Sequence, residues 1–140
     1  MATLRKKLFL VSACLLGLRT RYDGTSKPNA WVRSLSKDLF LIPVCPEQLG
    51  GLPTPRPPAE LSGGNGQGVL EGKAKVILHT GEDVTENFLK GALEVLNLAK
   101  LMKIDGAILK ARSPSCGLTP NLGVCAALLL THGYKIYEVD

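Results

Sequence analysis

The 140-residue chain is sparing with several residue types, and each scarcity removes a class of explanation. Three Phe, three Tyr and one Trp are too few aromatics to interleave with a basic stripe, so a nucleic-acid surface is not expected. No apolar run approaches the length of a membrane span. Four cysteines are too few to staple a secreted scaffold of this size. None of them forms a C-x-x-C pair, which removes paired zinc knuckles and the common dithiol redox motif. His79 and His132 lack metal-ligand spacing and read as structural. The opening "MATLRKKLFLVSACLLGLRTRYDG" has the basic-then-apolar order of a secretory leader. It lacks an Ala-x-Ala-type cleavage site, and its apolar run breaks at Gly17. The expectation is a cytoplasmic protein with reduced thiols and neither a membrane nor a nucleic-acid partner. Its net charge of +5 is dispersed apart from Arg5, Lys6 and Lys7, a mild field suited to a small anionic or electron-rich ligand.

What is present is an alternation of strands and helices. Lys7 to Leu16 is a continuous apolar run, the pattern of a strand buried on both faces. "KPNAWVRSLSKD" (27–38) predicts a helix entered through Pro28 and Asn29, and "LFLIPVC" (39–45) a second buried strand. Residues 46–72 are rich in Gly and Pro without periodicity and read as a long irregular loop. "AKVILHT" (74–80) alternates as a strand does. The next segment carries a helical stripe of Val84, Phe88, Ala92, Val95, Ala99 and Met102, with Asp83 and Glu86 spaced as a capping box. "DGAILKAR" (105–112) predicts a strand, "NLGVCAALLLTHG" (121–133) a helix closed by Gly133, and "YKIYEV" (134–139) a last strand. The order β-α-β-loop-β-α-β-α-β predicts one α/β domain over residues 1–140. Its architecture would be a three-layer sandwich on a mostly parallel, Rossmann-like sheet.

Three of the four cysteines end apolar runs and precede turns: Cys14 in "ACLLG", Cys45 in "VCPEQLGG" and Cys116 in "SPSCGLTP". Cys125 lies inside an apolar helix and reads as core. In a parallel sheet the ligand crevice lies outside the carboxyl ends of the strands. That edge brings Cys14, Cys45 and Cys116 to one place. Three thiolates suit a catalytic metal with an open position, or an iron–sulfur cluster with one iron uncapped. Around them, Glu47 is placed to act as a base toward water. Ser113 and Ser115 can donate hydrogen bonds to a substrate or to sulfur. Arg56, among prolines, has a fork of donors suited to a planar oxygen-bearing ligand. Asp23 in "RYDG" reads as a turn residue beside Gly24.

The stretches "VSACLLG", "RYDG", "PVCPEQLGGLPTPRPPAE", "GEDVTENFLKGA" and "LKARSPSCG", in this order, resemble the thiouracil desulfidase family. The resemblance implies a cytosolic α/β domain holding a [4Fe-4S] cluster on Cys14, Cys45 and Cys116. It also implies removal of sulfur from a thiolated pyrimidine such as 2-thiouracil, with water replacing the sulfur and hydrogen sulfide leaving. Glu47 and Ser113 match positions of proton handling, and Arg56 and Ser115 are the candidates for holding the thiolated base. Two departures stand out. Thr20 occupies a position where many members carry a cysteine, and only "LTPNLG" separates "SPSCG" from the final helix. The second departure sustains an alternative reading, a non-catalytic metal- or small-molecule-binding relative with a shortened substrate loop.

Overall fold

Long apolar runs become buried strands, and helices form where the pattern turns to a period near four. In chain order the elements are β1 (Leu8–Ser12), α1 (Ala30–Ser34), β2 (Phe40–Val44), α2 (Pro46–Leu49), β3 (Ala59–Ser62), α3 (Gly66–Leu70), β4 (Lys75–Leu78), α4 (Thr85–Met102), β5 (Gly106–Lys110), α5 (Val124–Thr131) and β6 (Ile136–Val139). The computed structural model describes residues 5–140. Four strands form the central sheet in the order β2-β1-β5-β6, every neighbouring pair parallel. From β1 the chain steps outward to β2, then returns to the other side of β1 to lay down β5 and β6. Right-handed crossovers therefore send α1 to one face of the sheet and α4 and α5 to the other. The larger core lies under α4 and α5, around Leu10, Phe88, Val95, Leu109 and Leu129. The smaller one lies under α1, around Val11, Leu15, Val32 and Ile108.

Three expectations are corrected. The run Lys7–Leu16 is not one strand. It leaves the sheet after Ser12, and Ala13–Leu16 tightens into a 3-10 turn. Gly17 closes that turn at φ +101°, a conformation glycine adopts without strain. Residues 46–72 are not wholly irregular. They hold α2, β3 and α3, each of four or five residues and too short to show a period. Pro46 starts α2, where its missing N–H costs nothing, and Asn65 caps α3 through the Gly68 N–H at 3.1 Å. Finally, "AKVILHT" does not join the main sheet, because β4 pairs antiparallel with β3 in a separate two-stranded sheet. Its alternation of exposed and buried residues belongs to a strand with one wet face.

The helices differ in detail. The first is shorter than 27–38, with Asn29 capping Ala30–Ser34 through the Val32 N–H at 3.0 Å and a 3-10 turn following. In place of a capping box, α4 starts at Thr85, and Asp83 accepts the Thr85 N–H at 2.9 Å. Its buried stripe ends at Ala99, and Met102 is exposed. The third layer is thin: α1 leaves Tyr137 partly exposed on that face, tilted against Phe9 at 6.1 Å.

One helix contact positions the site. At Gly91, α4 crosses α2 so closely that a β-carbon would collide with the Pro46 carbonyl, and one at Gly50 would collide with the Asn87 carbonyl. Asn87 seals the crossing by donating to the Gly50 carbonyl at 2.9 Å. The longest helix thus fixes the segment that begins at Cys45 and carries Glu47.

Candidate functional site

The direction of chain growth reverses between β1 and β5, so the crevice beyond their carboxyl ends is the place to look for a ligand. A cavity of about 530 Å³ opens there. Cys14 enters it from the turn after β1, Cys45 from the residue capping α2, and Cys116 from the loop after β5. Glu47, Arg56, Ser113 and Ser115 line the same cavity. All seven site residues expected from sequence therefore meet. Cys125 does not line it and is buried within α5.

Arg56 is the hub. Its side chain is 3% exposed, and its Nε–H donates to Glu47 Oε1 at 3.0 Å. Nη1 donates to the Pro53 carbonyl at 3.2 Å and to Thr54 Oγ1 at 2.7 Å. Nη2 donates to the Thr20 carbonyl at 3.0 Å and faces Cys45 Sγ at 3.9 Å. A guanidinium has five N–H donors, and all five are committed. Arg56, expected as a fork for an oxygen-bearing ligand, here directs its donors to Glu47, Cys45 and the surrounding loop. Thr20 contributes its backbone carbonyl, which also accepts from the Cys45 thiol at 3.8 Å. Any residue could supply that carbonyl, so the missing second cysteine leaves the contact intact.

The other carboxylate oxygen, Glu47 Oε2, accepts from the Ser115 hydroxyl at 3.0 Å. Ser115 Oγ lies 3.0 Å from Ser113 Oγ, and Ser113 Oγ accepts the N–H groups of Ser115 and Cys116 at 3.2 and 3.0 Å. Each hydroxyl has one proton. With Ser115 giving its own to Glu47, Ser113 gives its own to Ser115. The result is an ordered chain, Ser113 to Ser115 to Glu47. Ser115, expected as a candidate for holding a thiolated base, is here a link in this chain.

Burial dominates the thiols. Desolvation raises Cys14, against the pull of Lys110 and Arg21. Cys116 is pushed up to about 12 by burial, which the neighbouring hydroxyls of Ser12 and Ser115 oppose. Cys125 is raised well above the ordinary thiol range for the same first reason. The cavity wall also holds Arg21, Lys27 and Lys110. Lys110 Nζ donates to Asp140 Oδ1 at 3.2 Å, and Arg112 joins the same carboxylate at 3.3 Å. Sequence reasoning missed Ser12, Lys110 and Asp140 as lining residues, since no local motif marks them.

A three-thiolate [4Fe-4S] cluster is a soft, net anionic group, and the donor set fits it. Three cysteines at one cavity would supply soft ligands, and buried Arg56 with half-buried Arg21 and Lys110 would offset the charge. Among the described residues, no three of His, Cys, Asp or Glu converge as a site for one metal ion requires. A cubane takes each thiolate on a different iron and needs a wider spread.

The "LTPNLG" connection is not idle. Pro120 and Asn121 wall a second cavity of about 340 Å³, which shares Ala59, Arg112, Ser113 and Pro114 with the first. Glu138 on β6 fixes this connection, accepting from Thr119 N at 2.8 Å, from Thr119 Oγ1 at 2.7 Å and from the Leu118 N–H. Asp23 forms the expected turn, accepting the Thr25 N–H at 3.0 Å. His79 pairs with Glu60 on the exposed β3-β4 sheet. Among the described residues, no helix is long and apolar enough to cross a membrane.

The chain is similar to known proteins over nearly its whole length. The family model for 2-thiouracil desulfurase matches residues 9–140. YbbK of Bacillus subtilis, an uncharacterized protein, is 41% identical, with 92% of this chain and 93% of that protein covered. The solved structure of the [4Fe-4S]-dependent thiouracil desulfidase TudS superposes with a TM-score of 0.80 at 38% identity, covering 96% of this chain and 92% of that one. The chain belongs to the 2-thiouracil desulfurase family.

Proposed function

We propose that the protein removes sulfur from a thiolated pyrimidine such as 2-thiouracil, at a [4Fe-4S] cluster held by Cys14, Cys45 and Cys116. Family membership and the likeness to TudS support the class of reaction. The observation that carries it to this chain is the ordered chain from Ser113 through Ser115 to Glu47, ending beside the three cysteines in one cavity.

A cluster bound there supplies a Lewis-acidic iron with affinity for soft sulfur. The protein's own residues supply the rest. A thiocarbonyl and water become a carbonyl and hydrogen sulfide: the carbon–sulfur bond breaks, a carbon–oxygen bond forms, and nothing is oxidised or reduced. Both water protons end on sulfur, so a group must take and return them. Glu47 takes the first proton from the attacking water. Arg56 holds Oε1, which leaves the carboxylate one orientation. On the other side, Ser115 and Ser113 can reverse their hydrogen bonds when Glu47 becomes protonated, giving the proton a route across the cavity wall. The same reading places the protein in the cytoplasm, where thiols stay reduced.

The test is anaerobic reconstitution with iron and sulfide, followed by assay of sulfide and uracil released from 2-thiouracil. Glu47→Gln should keep its iron and lose roughly 10²–10⁴-fold in turnover, the contribution of a positioned base. A fully loaded wild-type protein that releases no sulfide from any thiolated pyrimidine tested overturns the reading in favour of a binding-only relative.

A further inference from the structure

Arg21, Lys27, Arg56, Lys110 and Arg112 all line the crevice, and they differ in what their N–H groups already hold. Arg56 has committed every donor it has. Lys27 is exposed, the Arg112 side chain is 69% exposed, and Arg21 donates to Thr25 Oγ1 at 3.2 Å in an exposed turn. Lys110 differs from all of these, because its side chain is only 12% exposed. Its ammonium donates to the Ala111 carbonyl at 2.9 Å and to Asp140 Oδ1 at 3.2 Å, and both acceptors belong to residues that line the crevice. An ammonium has three N–H donors. Among the described residues, the third has no acceptor. The backbone of Lys110 is fixed as well, its N–H donating to Ser12 Oγ at 2.9 Å where β1 and β5 part. A held, poorly solvated cation with one donor to spare suits an electronegative atom of a ligand.

We propose that Lys110 is a substrate-binding residue. Its ammonium donates to the ring oxygen that desulfuration of the thiolated pyrimidine leaves in place, and Asp140 holds the ammonium in position for it. The inference rests on the proposed desulfidase reading. 2-Thiouracil carries one sulfur and one oxygen on its ring. The sulfur is the atom that leaves, so the oxygen is the atom by which the protein can hold the ring throughout. A base without that oxygen strands the donor, which is how a site built to hydrogen-bond its substrate rejects an analogue. As water adds to the carbon bearing sulfur, negative charge spreads through the ring to the same oxygen, and a positioned cation favours that charge.

The experiment is equilibrium dialysis of uracil and of pyrimidin-2-one against anaerobically reconstituted protein, with variants compared at equal iron content. Uracil is the expected product, and pyrimidin-2-one is the same ring without the second oxygen. Wild-type protein should hold uracil at least about tenfold more tightly, the lower end for a hydrogen bond to a charged group. Lys110→Met should lose about 10- to 100-fold for uracil and leave pyrimidin-2-one unchanged. Lys110→Gln keeps a neutral donor, about half as strong, and should lose about 3- to 10-fold for uracil alone. If Lys110→Met fails to fold, Lys110→Gln decides, and equal losses for the two bases overturn the inference. Wild-type protein that releases sulfide from 2-thiouracil but holds uracil no better than pyrimidin-2-one also overturns it, and leaves the desulfidase reading standing. Wild-type protein that binds neither base and releases no sulfide overturns both together.

Discussion

Replacing Arg56 by Met tests whether the buried ion pair organises the site. Arg56 and Glu47 meet at 3.0 Å, with side chains only 3% and 13% exposed. Methionine fills much of the volume but leaves Glu47 without its cation and removes the guanidinium donors to the Thr20 and Pro53 carbonyls and to Thr54 Oγ1. Removing one partner of a buried pair typically costs about 3–5 kcal/mol, because the remaining charge stays desolvated. The slight exposure of Glu47 places the expected loss near the lower end, about 3 kcal/mol. Urea unfolding of the metal-free protein measures it. The double variant Arg56→Met, Glu47→Gln removes both charges and should recover at least about 1 kcal/mol relative to Arg56→Met, since the stranded carboxylate is gone. The reasoning is refuted if Arg56→Met costs under about 1 kcal/mol, the range of an exposed pair. A double variant no more stable than the single one refutes it too.

Further outcomes follow from the same contacts. Gly91→Ala should destabilise by about 1–3 kcal/mol, the cost of overpacking, as the methyl pushes α2 off α4; urea unfolding and turnover should fall together, because Cys45 and Glu47 ride on that segment. Cys14→Ala, Cys45→Ala and Cys116→Ala should each lose cluster iron on reconstitution, whereas Cys125→Ala should load fully and cost about 1–2 kcal/mol for a small buried deletion; iron and sulfide analysis decides between them. The metal-free protein should lose stability in alkali. Cys116 keeps its proton in the folded state up to about 12, against an ordinary 9.0 in the unfolded chain, so its contribution is full below 9.0 and fades as pH rises through about 12. Urea midpoints above pH 9 should therefore fall with pH, and less steeply in Cys116→Ala; equal slopes contradict the assignment.

The parts of the molecule legible in the sequence are those whose signal is long. β1 and β5 show as runs of apolar residues, and the cysteines after them inherit a position at the carboxyl edge from topology alone. The stripe of α4 from Phe88 to Ala99 repeats often enough to be unmistakable. What escaped notice is short or distant. α2, β3 and α3 are four or five residues each, so neither period has room to repeat. β4 carried its own clue, since buried Val76 and Leu78 alternate with wetter neighbours, unlike the four buried residues in a row in β5. The role of Arg56 was hidden for another reason: its donors are consumed by residues as far off as Thr20, a partnership only the folded chain reveals. Ser12 carries no motif, and its partner Lys110 comes from a separate strand.

The charge states at the crevice bear on which chemistry it suits. A thiol redox centre needs a cysteine that ionises readily, because the thiolate is the nucleophile. Here burial works the other way: Cys14 is raised despite Lys110 and Arg21, and Cys116 is raised to about 12 despite two hydroxyls. Such thiols are poor nucleophiles, and the chain has no C-x-x-C pair to compensate. Metal coordination reverses the account, because a bound metal deprotonates its thiol ligands outright. Once three thiolates form, the features that seemed ill-matched to neutral thiols acquire a function. On the proposed reading, Arg56 Nη2 at 3.9 Å from Cys45, the Ser115 hydroxyl at 3.7 Å from Cys116, and Lys110 and Arg21 near Cys14 serve as donors and counter-charges for the ligands. Arg56 contacts Cys45 and the Glu47 carboxylate at once, so on the proposed reading the group that steadies a ligand also orients the base. The proposed function accounts for a crevice arranged in this way: on that reading the thiolates are held by metal, and the proposed base is tied to Cys45 by a single buried cation.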